Sequence, residues 1–130
     1  MTLLKEVMSR HFETLGPEAS LKEALRLMET LNLGLLLVSR DRQVLGVLEE
    51  SELRRRLSEP GCDPAAGRVD EVMSTDVLFG REEQDVREMV PPMRERSVHT
   101  IPVLDAEARM VGVFTLGGPW KRLAPAAARG

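Results

Sequence analysis

Blocks of hydrophobic and polar residues alternate along residues 97–117. An apolar run at 101–104 is followed by a polar segment at 105–109 and by a second apolar run at 110–115. This pattern predicts two short buried strands joined by a tight turn. Because Pro102 has no N–H to donate, we expect its strand to lie at a sheet edge or to leave that position unpaired.

The same pattern occurs twice in the chain. Val7-Met8-Ser9 recurs 65 residues later as Val72-Met73-Ser74, and Gly46-Val47 recurs as Gly112-Val113 after one inserted residue. Chance rarely keeps such a register over many positions, so the sequence predicts an internal duplication. A unit of about 45 residues buries too little surface to be stable alone. We therefore expect the two copies to pack on each other about a pseudo-twofold axis.

Each copy contains one well-marked helix. In the first copy Ser20 is a good N-cap with Glu23 three residues later, and in the second Asp85 and Glu88 take these positions. Pro91-Pro92 removes two donors from the middle of the second helix. This predicts either a break, with Pro91 starting a new turn, or a bend that reshapes a cleft or a dimer surface. The apolar stripes are Leu21, Ala24, Leu25, Met28 and Leu31 in the first copy and Val86, Met89, Val90 and Met93 in the second.

Short extended segments precede these helices, and strand pairs follow them. We predict the extended segments at 12–15 and 77–79, and the strand pairs at 35–38 with 44–48 and at 101–104 with 110–115. A helix over 50–57 closes the first copy. The predicted organisation is a first repeat at 1–57, a linker at 58–69, a second repeat at 70–120 and a loose tail at 121–130. The fold class is α/β, with each repeat forming a small sheet packed against helices.

Composition limits the classes of function. The chain has 130 residues, 42% hydrophobic and 30% charged, which suits one compact domain with a real core. A net charge of −3 argues against a nucleic-acid partner, and no run approaches the roughly 18 apolar residues of a membrane span. The N-terminus lacks the apolar region of a signal peptide. Cys62 is alone, so no internal disulfide can form and we expect a cytoplasmic protein.

The sequence gives little support for catalysis. It contains no Cys-His pair in a recognisable motif, no serine nucleophile elbow, no phosphate-binding loop and no His/Cys cluster at zinc spacing. His11 and His99 are the two histidines, so few acid–base pairs are available. We therefore predict that the protein is not an enzyme and has no metal site.

The order helix, strand, strand, helix, repeated twice, resembles the cystathionine β-synthase (CBS) domain pair, also called the Bateman module. The matching segments are Val7-Met8-Ser9 with Val72-Met73-Ser74, Val98-His99-Thr100-Ile101-Pro102-Val103 with Asp105, and Gly112-Val113-Phe114-Thr115. The resemblance implies a stand-alone regulatory module that binds AMP, ADP, ATP or S-adenosylmethionine in a cleft between the repeats. It implies an adenine nucleotide or related ligand, no required cofactor, and a homodimer.

In the second copy, the resemblance implies a phosphate end. In the family pattern a Thr or Ser three residues after the hairpin glycine contacts phosphate, and Thr115 stands there after Gly112. His99 matches a position that often touches phosphate. The family's Asp, six residues after the glycine, binds the two ribose hydroxyls, but Gly118 replaces it here.

In the first copy, the family pattern is kept differently. Gly46 is followed by Glu49 at the hydroxyl position and by Glu52 at the ribose position. Glu52 could bind a ribose, whereas Glu49 would repel a phosphate. Leu35 stands where many members place a basic phosphate contact. The candidate ligand-binding residues are Thr115, His99, Val113, Gly112, Ile101, Leu78 and Glu52.

Each candidate also has a structural interpretation. Val113, Leu78 and Ile101 are core residues as well as candidate adenine walls, the glycines serve close packing, and Glu52 lies on a solvated helix face. Arg54-Arg55-Arg56 is interpreted as an ion-paired helix surface. The alternative function is a degenerate CBS pair that binds no ligand and acts in dimerisation or in docking to a protein partner.

Overall fold

The computed structural model describes residues 1–116 of the chain, which form two compact units. Among these residues, unit 1 combines Met1–Phe12 with residues 78–116, and unit 2 is the continuous segment Glu13–Val77. The predicted role of Gly118, the end of the second repeat and the tail at 121–130 lie outside the described residues. Val7-Met8-Ser9, here called the first lead sequence, belongs to unit 1, whereas the second lead sequence, Val72-Met73-Ser74, belongs to unit 2, so these units divide the chain differently from the predicted repeats.

The described residues form four helices, one 3₁₀ turn and six strands. The helices are α1 (Leu4–Val7), α2 (Leu21–Leu31), α3 (Glu50–Leu57) and α4 (Val86–Glu95), with the 3₁₀ turn at Val69–Glu71. The strands are β1 (Thr14–Leu15), β2 (Leu35–Arg40), β3 (Gln43–Glu49), β4 (Gly80–Arg81), β5 (Thr100–Leu104) and β6 (Met110–Thr115).

Both units are built around the same small α/β sheet. The strand order is β1-β2-β3 in unit 2 and β4-β5-β6 in unit 1. In each sheet the first pair of strands is parallel and the second is antiparallel. The predicted α/β class and the predicted duplication of a small sheet with helices are therefore confirmed.

Helix α2 begins and ends where local chemistry places its boundaries. The Glu23 N–H donates to Ser20 Oγ over 3.0 Å, and the Ser20 N–H donates to Glu23 Oε1 over 3.2 Å. This is the predicted capping box. The helix ends at Asn32, whose φ of 54° places it in the left-handed region. Its buried residues are Leu21, Ala24 and Met28.

Helix α4 is continuous through Pro91-Pro92, so the predicted break is wrong. The two prolines deprive the carbonyls of Arg87 and Glu88 of donors. Both of these residues are exposed, so water can hydrate their carbonyls. The opposite side of the helix stays anchored in the core through Val86, Met89 and Met93.

The strand that contains Pro102 is central in its sheet, so of the two predicted alternatives the edge strand is wrong and the unpaired position is confirmed. Its missing donor costs no ladder bond, because both backbone groups of its partner Val113 bond to Ser9. The second extended segment is shifted from 77–79 to Gly80–Arg81. A side chain at Gly80 would overlap Leu4, so glycine lets the strand form beneath α1.

Each unit has its own hydrophobic core. The core of unit 2 consists of Leu21, Ala24, Met28, Leu36, Val38, Leu48, Leu53 and Val69. The core of unit 1 consists of Leu4, Val86, Met89, Met93, Ile101, Val103 and Phe114. Within residues 1–116 no helix is both long enough and apolar enough to cross a membrane.

Candidate functional site

Two threonine hydroxyls meet at the open end of the second hairpin. Thr100 and Thr115 are cross-strand partners on β5 and β6, and their Oγ1 atoms lie 3.2 Å apart. The Leu116 N–H donates to the carbonyl of His99 over 2.7 Å and continues the pairing by one residue. Both threonines are half-buried, whereas His99 is exposed.

This hydroxyl pair can donate a hydrogen bond to an anion. Two hydroxyls carry two protons, and the bond between Thr100 and Thr115 uses one of them. The other proton remains available to an incoming oxygen. A negatively charged acceptor such as a phosphate forms the stronger hydrogen bond with such a donor.

The other candidates in unit 1 differ in accessibility. Ile101 is fully buried in the core of unit 1. Val113 and Leu78 are half-buried, so part of each side chain is accessible to a ligand. Ile101 is therefore a core residue in this structure, and Val113 and Leu78 are the residues that can form an apolar wall.

Gly112 is required for close packing. A Cβ at this position would lie 2.6 Å from Met8 Sδ and 2.8 Å from the carbonyl oxygen of Ser9. Gly46 has the same relation to Met73 and Ser74, with distances of 2.7 Å and 2.8 Å. Real Cβ atoms do not approach other atoms so closely, so both glycines make room for a lead sequence.

The first hairpin has the same backbone but different side chains. The Glu50 N–H donates to the carbonyl of Gly34 over 3.0 Å, as Leu116 does to His99. The terminal cross-strand pair is Leu35 with Glu49, and Glu49 is exposed. An apolar side chain and a carboxylate therefore replace the two hydroxyls, and a phosphate would meet a negative charge.

Glu52 is held in an ion pair on the surface of α3. Its Oε2 accepts from Arg55 Nη2 over 2.6 Å, and this hydrogen bond lowers the pKa of Glu52. Glu52 belongs to unit 2, whereas the other six candidates belong to unit 1. The contact with Arg55 competes with any ribose hydroxyl for this carboxylate.

The three arginines of α3 are ion-paired, as the sequence predicts. Arg54 contacts Glu50 and Glu29, at 2.9 Å and 3.1 Å. The remaining pairs are Arg55 with Glu52 at 2.6 Å and Arg56 with Glu59 at 3.5 Å. Exposed pairs of this kind contribute little to stability, so they act mainly by neutralising charge.

Thr100 was not among the candidate residues predicted from the sequence. Its signal was the register of the duplication, because Leu35, 65 residues earlier, was recognised as a phosphate position. Only the strand pairing shows that its hydroxyl meets that of Thr115. Among residues 1–116, no three His, Cys, Asp or Glu side chains are grouped so that they could hold a metal ion.

Comparisons with known proteins agree with this architecture. The model of the CBS domain matches residues 4–59 and 69–117. The chain is 26% identical over 117 residues to the CBS domain-containing protein YhcV of Bacillus subtilis, covering 90% of this chain and 82% of YhcV. It is 28% identical over 118 residues to an inosine-5'-monophosphate dehydrogenase of Methanocaldococcus jannaschii. That match covers 90% of this chain but 23% of the dehydrogenase.

A solved structure shares the fold over nearly its whole length. The CBS domain pair of protein MJ0100, crystallised with 5'-methylthioadenosine and S-adenosyl-L-methionine, superposes with a TM-score of 0.81. The two chains are 21% identical, and the match covers 98% of each. With the family model matched in both copies, the chain belongs to the CBS domain family and carries two CBS domains.

Proposed function

We propose that this CBS pair is a regulatory module that binds an adenosine-containing ligand, AMP, ADP, ATP or S-adenosylmethionine, and is not an enzyme. The observation that carries the proposal is the pair of half-buried hydroxyls of Thr100 and Thr115, 3.2 Å apart. The ligands of the MJ0100 domain pair support an adenosine class. In this proposal His99 lies at the phosphate end, and Val113 and Leu78 contact the base.

The proposed mechanism is a population shift. A ligand changes the balance between two conformations only if it binds one of them more tightly. The proposed output is a change in the contacts of this module with a second copy, as a homodimer, or with a protein partner in the cytoplasm. No nucleic acid or membrane is part of the proposal.

The first hairpin supports the alternative of a degenerate module. Leu35 and Glu49 stand in place of the hydroxyl pair, and Glu52 is engaged by Arg55. If unit 1 has lost its function in the same way, the protein acts in dimerisation or docking alone. The two proposals differ in one measurable property, which is binding of a nucleotide.

Isothermal titration of the full chain with AMP, ADP, ATP and S-adenosylmethionine tests the proposal. We expect at least one ligand to bind, and the double variant Thr100→Val/Thr115→Val, which removes both hydroxyl protons, to weaken binding of a phosphate-containing ligand by about tenfold, the cost of one hydrogen bond to a charged group. Thr30→Val, an exposed threonine on α2, is the matched control and should leave affinity unchanged. Absence of heat with all four ligands would favour the degenerate module.

A further inference from the structure

The first twelve residues, Met1–Phe12, here called the strap, pack on unit 1 although their chain continues into unit 2. The strap leaves its own hairpin and docks on the hairpin of the second copy. Its backbone hydrogen bonds connect Thr2 with Val86, Leu4 with Gln84, Lys5 with Glu82, and Ser9 with Val113, over 2.8 to 3.1 Å.

Two glycines admit the strap. Gly80 lies beneath Leu4, which is fully buried, and a side chain there would overlap Leu4. Gly112 lies beneath Met8 and the carbonyl of Ser9. The strap is therefore seated at two separate points, one in the core and one on strand β6.

The remaining contacts of the strap are short-range or exposed, apart from Val7 and Met8, which are partly buried against the core of unit 1. Its helix α1 has four residues, which is too short to be stable without tertiary contacts. Its ion pair, Lys5 with Glu83 at 2.8 Å, is exposed and therefore weak. A short segment with one fully buried residue, two residues partly buried against the core and five backbone hydrogen bonds to the rest of residues 1–116 has fewer contacts than the core strands, and such segments can open locally while the rest stays folded.

The strap also borders the strand that carries the hydroxyl pair. Ser9 donates to and accepts from Val113, over 2.8 Å and 2.9 Å, so both backbone groups of Val113 are occupied. Val113 lies two residues before Thr115 on β6. Without the strap, this edge of β6 loses its pairing at Val113 and Gly112 loses its cover.

We propose that the strap docks and opens reversibly, and that docking and occupation of the Thr115 end by a ligand stabilise each other. The first half rests on the contacts above. The second half rests on the proposed function. The coupling must be reciprocal. A ligand that binds more tightly when the strap is docked increases the docked fraction, and a variant that loosens the strap lowers the affinity for the ligand.

Hydrogen exchange of the full chain, resolved by peptide, measures strap opening directly. Gly112→Ala places a Cβ against Met8 and Ser9 in unit 1. Gly46→Ala places a Cβ against Met73 and Ser74 in unit 2. We expect Gly112→Ala to speed exchange of residues 1–12 by about tenfold without a comparable change at 69–77. The matched variant Gly46→Ala should show the opposite pattern.

Met8→Ala is a second variant, because it removes the sulfur contact without adding a clash. It should loosen residues 1–12 in the same way. If Gly112→Ala and Met8→Ala raise exchange equally throughout residues 1–116, or leave the strap as protected as before, the strap is not a separate element and the inference is wrong.

Repeating the measurement on the unchanged protein with saturating ATP separates this inference from the proposed function. We expect ATP to slow exchange of residues 1–12 and to leave 69–77 unaffected. If calorimetry shows that ATP binds but exchange of the strap does not change, the coupling is refuted and the proposed function stands. If none of the adenosine ligands binds, both the coupling and the proposed function are refuted. Hydrogen exchange in the Gly112→Ala and Gly46→Ala variants then decides whether the strap opens.

Discussion

At the residue scale, the two copies fill equivalent places with different side-chain pairs. In unit 1, Leu4 is fully buried over Gly80. The equivalent positions of unit 2, each 65 residues away, hold Val69 and Leu15, and both belong to its core or pack against it. In unit 1 the larger Leu4 is thus matched with Gly80, and in unit 2 the smaller Val69 is matched with Leu15.

This difference predicts a compensating pair of substitutions. Gly80→Ala should lower the free energy of unfolding by about 1–3 kcal/mol, because the new methyl group meets Leu4. Leu4→Val alone should cost about 1 kcal/mol for the lost methylene. The double variant should be less destabilised than the sum of the two, as chemical denaturation would show. Additive losses would contradict direct packing of these residues.

The two hairpins also differ in the chemistry of their terminal cross-strand pair of side chains. Thr100 and Thr115 occupy the positions of Leu35 and Glu49 in the same backbone pairing. Two substitutions therefore convert an end that can donate to an anion into one that repels it. The fold is retained in both units, so the proposed difference in ligand binding rests on a few side chains rather than on architecture.

At the scale of elements, Asp85 fixes the start of α4. Its Oδ1 accepts from the Arg87 N–H over 2.9 Å, and its Oδ2 lies 3.0 Å from Arg87 Nη2. The side-chain hydrogen bond from Arg87 is the largest cause that lowers the pKa of Asp85 below its ordinary value of 3.8. The carboxylate is thus a cap and an ion-pair partner at once.

The lowered pKa of Asp85 predicts a dependence of stability on pH. A carboxyl whose pKa is lower in the folded state stabilises the fold above its unfolded pKa, and this contribution is lost as pH falls through the folded pKa. Asp85→Asn keeps an acceptor for the Arg87 N–H but removes the charge. The variant should be less stable than the parent at neutral pH, and the difference should shrink below about pH 4. Urea midpoints across this range measure it, and a constant difference would contradict the argument.

Local signals in the sequence were sufficient for most elements. The cap at Ser20 and the stripe after it predicted α2 correctly, and the bounds of α3 and β6 match their predicted ranges. Elements that depend on distant residues were missed. Helix α1 and the turn at Val69–Glu71 are too short for periodicity, and β4 depends on the distant Leu4.

The candidate site was predictable in part for the same reason. Thr115 follows from its spacing to Gly112, which is a local pattern. Its partner Thr100 depends on the register of two strands, and the cover of Gly112 depends on Met8, more than a hundred residues away. Single-sequence patterns carry no information on such contacts, so they became visible only in the fold.

At the scale of the whole molecule, two cores predict two separable stabilities. Leu53 is fully buried in the core of unit 2 and Phe114 in that of unit 1. Leu53→Ala and Phe114→Ala should each cost about 2–5 kcal/mol. We expect hydrogen exchange to rise mainly at 13–77 in the first variant, and mainly at 1–12 and 78–116 in the second. Equal losses in both units from either variant would show that they unfold as one.

The interrupted course of unit 1 has a consequence for synthesis on the ribosome. Unit 2 is continuous, so all of its parts leave the exit tunnel before β6 does. Met1–Phe12 emerges before unit 2 but cannot form its pairing with β6 until Met110–Thr115 has emerged. Since domains fold as they emerge, unit 2 should fold first, while Met1–Phe12 stays unpaired until β6 follows it out of the ribosome.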